Sequence, residues 1–224
     1  MKIGALISGG KDSLFAAYKA IKQNELACLI TLKSRNPESY MFHIPNIDLV
    51  KLQAESMGIP LVFLETEGVK EEELEDLKEA IEIAKEKYRI EGLVSGAIKS
   101  KYQKERVDKI CMDLGIQSIA PLWHINEDLY ITELIKNFNV IIVGIAADGL
   151  KKEFLGMRIG LTFLDRMRSL KVSPIGEGGE FESFVLDCPL FKKKIKIEEF
   201  EIKMENECTG HYLIKKAVLL EKDN

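Results

Sequence analysis

Apolar runs alternate along the chain with stretches of helical spacing. The runs IGALIS, ACLITL, PLVFLE, GLVSGAI and VIIVGIA follow one another in that order, each bounded by polar or turn-forming residues. Such alternation predicts parallel strands joined by crossover helices. In the acidic stretch after Gly68, the residues Leu74, Leu77, Ile81, Ala84 and Tyr88 recur at three- and four-residue intervals, the buried face of one helix. Its many glutamates then form the solvated face. Val107, Ile110 and Leu114 mark a second helix, with Gly115 placed to end it.

The pattern changes after about Gly149. A short helix over residues 161–170 precedes the glycine-rich stretch PIGEGGEFES, and two charged or alternating strand candidates follow, KKIKIEEFEIKM and HYLIKKAVLL. The fold class expected is α/β: a mainly parallel sheet with helices on both faces over residues 1–149, then a smaller C-terminal α+β region over 150–224. The boundary is soft, because no repeat, low-complexity linker or Pro-rich spacer marks it.

Composition narrows the classes of function. At 224 residues the chain can bury a sizeable core, and 46% hydrophobic with 30% charged residues is a globular balance. A net charge of -4 gives no general footprint for a nucleic-acid backbone, although Lys192, Lys193 and Lys194 form a local basic patch. Stable nucleic-acid binding is not expected. Cys28, Cys111, Cys188 and Cys208 contain no C-x-x-C pair, so they read as structural thiols, neither a zinc ribbon nor a redox motif. With no charged leader before the first strand and no apolar run near the ~20 residues that span a bilayer, the expected location is cytoplasmic. The oligomeric state is left open, a homo-oligomer included.

The first strand runs directly into Ser8-Gly9-Gly10-Lys11-Asp12-Ser13 and then into a helical pattern. A glycine-rich turn between strand and helix suits phosphate, because glycine lets backbone N–H groups approach closely and the helix adds a positive end. It is not a Walker A loop: the first glycine of that motif would fall at Ala5, and Asp12 stands where Ser or Thr is needed. Nor can G-x-G-x-x-G be laid over adjacent glycines. The pattern S-G-G-x-D-S does resemble the PP-loop of ATP pyrophosphatases, which cleave ATP between its α and β phosphates. That resemblance implies a pyrophosphate cradle of Ser8, Gly9, Gly10, Asp12 and Ser13, with Lys11 beside it. Asp12 is better suited to orient the loop or bind through Mg²⁺ than to touch phosphate. The plainer alternative is a glycine turn in which Asp12 and Ser13 merely cap the helix.

Two later stretches sharpen the resemblance. Residues 93–123, LVSGAIKSKYQKERVDKICMDLGIQSIAPLW, and 174–191, PIGEGGEFESFVLDCPLF, are similar to the diphthine–ammonia ligase family, and the likeness extends over nearly the whole chain. Membership would imply ATP and Mg²⁺ as cofactors. The partner would be translation elongation factor two bearing diphthine, whose carboxylate is adenylated and then amidated to diphthamide with release of AMP and pyrophosphate. No glutaminase-like segment is recognisable, so free ammonium is the expected nitrogen source.

Within that resemblance Ser95, Gly96 and Ala97 end a predicted parallel strand, where small residues would let a nucleotide lie against the backbone. Tyr102, Gln103 and Arg106 match a Y-Q-x-x-R segment. Arg106 has the planar fork to clamp phosphate or carboxylate, the alternative being a surface ion pair. Lys11, Asp12 and Arg106 are the candidate catalytic residues. Glu177, Glu180 and Glu182 crowd three carboxylates beside Gly178 and Gly179, and such a cluster calls for a cation: the acceptor's trimethylammonium, ammonium or magnesium. A solvated loop is the alternative. His43 and His124 read as structural residues. Transfer RNA modification by the same superfamily is disfavoured by the unpaired cysteines and mild charge, and a nucleotide-binding module without turnover is the rival of another class.

Overall fold

The structure, a computed structural model, describes residues 1–36, 46–69 and 72–222; His43 lies outside the described residues. Five short strands, β1 (Lys2–Leu6), β2 (Glu25–Ser34), β3 (Leu61–Thr66), β4 (Gly92–Val94) and β5 (Gln117–Ile119), pair in parallel in the order β3-β2-β1-β4-β5. Between them run α1 (Lys11–Ala20), α2 (Val50–Met57), α3 (Glu72–Tyr88) and α4 (Lys101–Asp113). The two-residue period of the strands divides the apolar residues between two cores. Ile3 and Ala5 of β1 and Leu29 of β2 share one core with α1 and α2, whereas Cys28, Ile30 and Leu32 of β2 share another with α3 and α4. Helices therefore cover both faces. Leu77, Ile81 and Ala84 of α3 are buried as their spacing predicts, and Gly115 follows α4 at φ +64°, the left-handed value that suits glycine after a helix.

A second sheet is antiparallel: β6 (Asn139–Ala146), β7 (Phe181–Asp187), β8 (Lys193–Met204) and β9 (Thr209–Glu221) lie in the order β7-β6-β9-β8. Helix α5 (Glu127–Asn137) leads into it and α6 (Leu161–Leu170) falls between β6 and β7. The run VIIVGIA, expected among the parallel strands, is β6 and belongs here, paired antiparallel with both its neighbours. A continuous apolar run reports burial on both faces and carries no information on strand direction. The fifth parallel position goes to β5, a three-residue strand with no apolar run to announce it. Phe181, Glu182 and Ser183, read as part of a loop, begin β7.

Strand order sets where a ligand can sit. The chain builds outward from β1 to β3, then returns to the other side of β1 with β4, so the loops after β1 and β4 diverge around a crevice at the sheet's carboxyl edge. Such a reversal is where open α/β sheets bind ligands. Strand β7 closes one side of it. The Val185 N–H donates to the Gly9 carbonyl at 3.0 Å, and the Lys11 N–H donates to Ser183 Oγ at 3.1 Å. Gln53, fully buried on α2, donates through Nε2 to the carbonyls of Gly9 (3.1 Å) and Val185 (2.9 Å). Gly9 has φ +85°, and a Cβ there would press within 3.2 Å of the Phe184 ring, so conformation and space both call for glycine.

Gln53→Met, which keeps length and removes both donated bonds, is expected to lower the free energy of unfolding by about 1–2 kcal/mol. Urea unfolding with an unchanged m value is the measurement; an unchanged midpoint would show that the bracket adds nothing to stability.

Candidate functional site

A cleft of about 600 Å³ opens at this edge. The loop after β1 contributes Ser8 and Gly10, the first turn of α1 contributes Lys11, Asp12 and Ser13, and the loop after β4 contributes Ser95, Gly96 and Ala97. Gln103 of α4 lines it too. Opposite stand Glu177, Gly178, Gly179 and Glu182. Three stretches far apart in sequence are thus brought to one cavity. Gly9, Tyr102, Arg106 and Glu180 are not part of its lining.

The loop is held by its own hydroxyls. Ser13 Oγ accepts from the Ser8 N–H at 3.2 Å and donates to the Gly10 carbonyl at 3.1 Å, while the two serine hydroxyls stand 3.2 Å apart. Gly10 is the N-cap of α1, with no side-chain capping bond. Asp12 does not cap the helix: its carboxylate turns to Lys11, whose Nζ donates to Oδ1 at 3.0 Å and Oδ2 at 2.7 Å. Lys11 is only 3% exposed, and its ammonium lies 5.4 Å from the centre of the Phe181 ring. Tyr130 of α5 donates to Asp12 Oδ1 at 2.6 Å. Sequence reasoning missed Tyr130, because an aromatic in an apolar helical stripe with Ile131 and Leu134 reads as core.

Gly96 is used differently from the expectation for small residues. A Cβ there would meet the Ser13 backbone nitrogen at 2.8 Å, so its missing side chain admits the first turn of α1. Beside it the Ser95 hydroxyl is buried, with no hydrogen-bond partner among the described residues.

The three glutamates differ. Glu180 accepts the Gly178 N–H at 2.8 Å and closes its own turn. Glu177 accepts the Lys99 N–H at 3.1 Å, and burial together with the Asp12 charge raises its pKa. Glu182 reaches furthest in. It stands opposite Gly144 on β6, where a Cβ would come within 2.7 Å of its Oε2, so the carboxylate fills the space of a missing side chain. That oxygen is buried without a partner among the described residues, and burial pushes the carboxyl up to about 7.

On α4 the Arg106 guanidinium stacks on the Tyr102 ring, its carbon 3.4 Å from the ring centre, and Nη1 donates to the Tyr102 carbonyl at 3.5 Å. Gln103 donates its backbone N–H to the capping Ser100 Oγ at 3.4 Å. His124 occupies a left-handed turn at φ +55°, its N–H bound to the Ile98 carbonyl. The four cysteines are free, and burial pushes Cys28 and Cys188 to about 12 and Cys111 to about 11, values that keep them as thiols. Among the described residues no group of three or more His, Cys, Asp or Glu could hold a metal by itself, and no helix is long and apolar enough to cross a membrane.

Glu182 makes stability depend on pH. Its native carboxyl titrates near 7 against an ordinary 4.5, so the folded state keeps a proton that the unfolded state has already lost between those values. Stability falls as pH rises through that window, and the whole cost is present above it. Glu182→Gln is expected to flatten this slope and to be more stable than wild type at pH 8 by about 1–3 kcal/mol. Parallel slopes for the two proteins from pH 5 to 8 would contradict it.

Comparison with known proteins matches the cleft's two walls to two family models: Diphthamide synthase N-terminal domain over residues 1–118 and Diphthamide synthase C-terminal domain over residues 126–220. The rat (Rattus norvegicus) protein named diphthine–ammonia ligase is 37% identical over 90% of this chain and 84% of its own. The human (Homo sapiens) protein of that name is 36% identical over 90% of this chain and 85% of its own. The Schizosaccharomyces pombe one is 31% identical over 99% of this chain but only 40% of its own, so there the shared region is part of a longer polypeptide. A solved structure titled as a predicted subunit of a tRNA methyltransferase from Methanocaldococcus jannaschii has a TM-score of 0.46 and 19% identity, covering 84% of this chain and 98% of that one; a likeness so distant bears on neither fold nor function. With two family models together spanning most of its length and relatives above 30% identity covered nearly end to end, the chain belongs to the diphthamide synthase family.

Proposed function

We propose that the protein is an ATP-dependent diphthine–ammonia ligase acting on diphthine-bearing translation elongation factor two with free ammonium. The observation that carries this reading is the cleft itself, which sets a phosphate-type loop against a Glu182 carboxylate with one buried oxygen that has no partner among the described residues. The relatives named diphthine–ammonia ligase support the choice of acceptor.

ATP suits the nearer wall. The positive amino end of α1, the Lys11 ammonium, and the hydroxyls of Ser8 and Ser13 lie along one edge of the cleft, and Ser95 adds a hydroxyl with no partner among the described residues. Magnesium bound to nucleotide needs only one or two protein carboxylates besides phosphate oxygens. Asp12, a third exposed, and Glu177 beside it are the residues that would hold it. The bound ion would neutralise phosphate charge.

In the reaction so proposed, a diphthine carboxylate oxygen attacks the α-phosphorus and pyrophosphate leaves; ammonia then attacks the acyl carbon and AMP leaves. Carboxylate oxygen is a poor leaving group and adenylate a good one, which is the chemical reason ATP is spent. Lys11 and the loop hydroxyls stabilise charge on the transferring phosphoryl group. Depth in the cleft shields the mixed anhydride from water. Glu182 receives the acceptor's trimethylammonium, while Glu180 shapes the loop. The stacked Arg106 and Tyr102, outside the lining, are proposed to meet the elongation factor around the modified residue. For the division of labour, the first sheet serves nucleotide and the second serves acceptor. Because β6 pairs with the second, the seam we propose lies between β5 and α5.

Incubation with ATP, Mg²⁺, ammonium and the diphthine-bearing factor should yield AMP, pyrophosphate and the small mass loss of acid-to-amide conversion; ADP as product would sink the reading. Asp12→Ala and Ser13→Ala should each lower turnover by ~10²–10³ while the protein stays folded. Arg106→Lys keeps charge and loses the fork, so amide formation should fall more than nucleotide affinity. Glu182→Gln should raise the Michaelis constant for the acceptor more than tenfold, a contact to a charged group being worth ~1.5–3 kcal/mol, with ATP binding nearly intact. Glu180→Gln should change it much less, and equal behaviour of the two variants would remove Glu182 from the acceptor site.

A further inference from the structure

Lys11 and Asp12 are neighbours on one helix, and adjacent helical residues do not face each other. Their pairing means that the lysine curls back over its neighbour, burying its ammonium where a phosphate chain would enter the cleft. A polyphosphate is a stronger partner for that ammonium than one carboxylate. Once Lys11 turns to phosphate, Asp12 is released to meet the magnesium proposed above and, of the donors described on its oxygens, keeps the Tyr130 hydroxyl at 2.6 Å.

Tyr130 is built to stay in place. It is fully buried, its ring meets the edge of Phe15 at 4.9 Å, and Phe15 packs in turn on Phe138 at 5.4 Å. Helix α5, which carries it, is tied to α1 by the Lys19–Glu133 ion pair at 2.8 Å and capped by Asn126 Oδ1, which accepts the Leu129 N–H. The bond also joins the two matched regions, Asp12 lying in the first and Tyr130 in the second.

We propose that Tyr130 is a positioning residue, whose hydroxyl fixes the Asp12 carboxylate so that Lys11 can transfer from it to the nucleotide phosphates without the carboxylate following. This rests on the reading of the cleft as an ATP site. It makes α5 part of the nucleotide machinery, although the helix contributes nothing to the cleft wall.

The test is a double-mutant cycle of Tyr130→Phe and Asp12→Ala, read in Mg·ATP affinity by calorimetry and in AMP formation at saturating ATP. Tyr130→Phe keeps the ring packing, so the thermal midpoint should stay close to wild type. Mg·ATP affinity should weaken about threefold to tenfold, and AMP formation should fall about tenfold or more. In the Asp12→Ala background the same change should have no further effect on either, because its target is gone. Losses that multiply independently, a Tyr130→Phe protein equal to wild type, or one that fails to fold would each assign Tyr130 to the core alone and overturn the proposal. If the wild type makes ADP or no AMP, the ligase reading fails on its own and the affinity cycle still decides Tyr130.

Discussion

The Gly9 carbonyl is where the two sheets are joined. It belongs to the loop leaving β1, yet it accepts from the Val185 N–H on β7 and from Gln53 on α2. Each such bond contributes only about 1 kcal/mol net, and the bulk of the stabilisation comes from the apolar core shared by β1, α1, β6 and β7. The bonds supply geometry. Because β7 also carries Ser183, which receives the Lys11 N–H, and Glu182, which lines the cleft, one register fixes both walls. Nothing in this join can shift by a residue without turning Glu182 to the other face of its sheet.

Charge within the cleft is segregated as a consequence. One wall has the amino end of α1 and the single buried ammonium of Lys11, already shared with Asp12. The other has carboxylates for which burial outweighs what their neighbours supply, and Glu177 and Glu182 respond by holding protons more tightly. In the function proposed, a polyanion and a cation enter the same cavity from opposite sides, each meeting the charge that suits it.

The two halves are also linked through side chains. Tyr130 reaches from α5 to Asp12, and Ser56 donates to the Lys193 carbonyl of β8 at 2.6 Å from α2. Lys192 donates its N–H to the Ser56 carbonyl at 2.8 Å in return. Contacts of this kind recur at several points around one hydrophobic core, so the loop after β1 is held from both sides.

Much of this was legible in the sequence where a local pattern has one physical meaning. The glycine turn between strand and helix, the buried faces of α3 and α4, the crossover layout of four of the parallel strands and the small residues after β4 all follow from period, chirality and turn chemistry within a few residues. The family resemblance also resided in contiguous motifs, as did the identity of the loop and acidic residues that line the cleft. Tertiary structure decided the rest, because it depends on which segments meet. The direction of β6 is set by its partners, the brevity of β5 hides it from any periodicity, and the room for Glu182 comes from a glycine 38 positions away on another strand. Gln53 and Tyr130 look like ordinary helix residues until the chain folds: a hydrogen bond over 44 or 118 residues leaves no trace in local spacing, since its energy depends on a distance that only the completed packing defines.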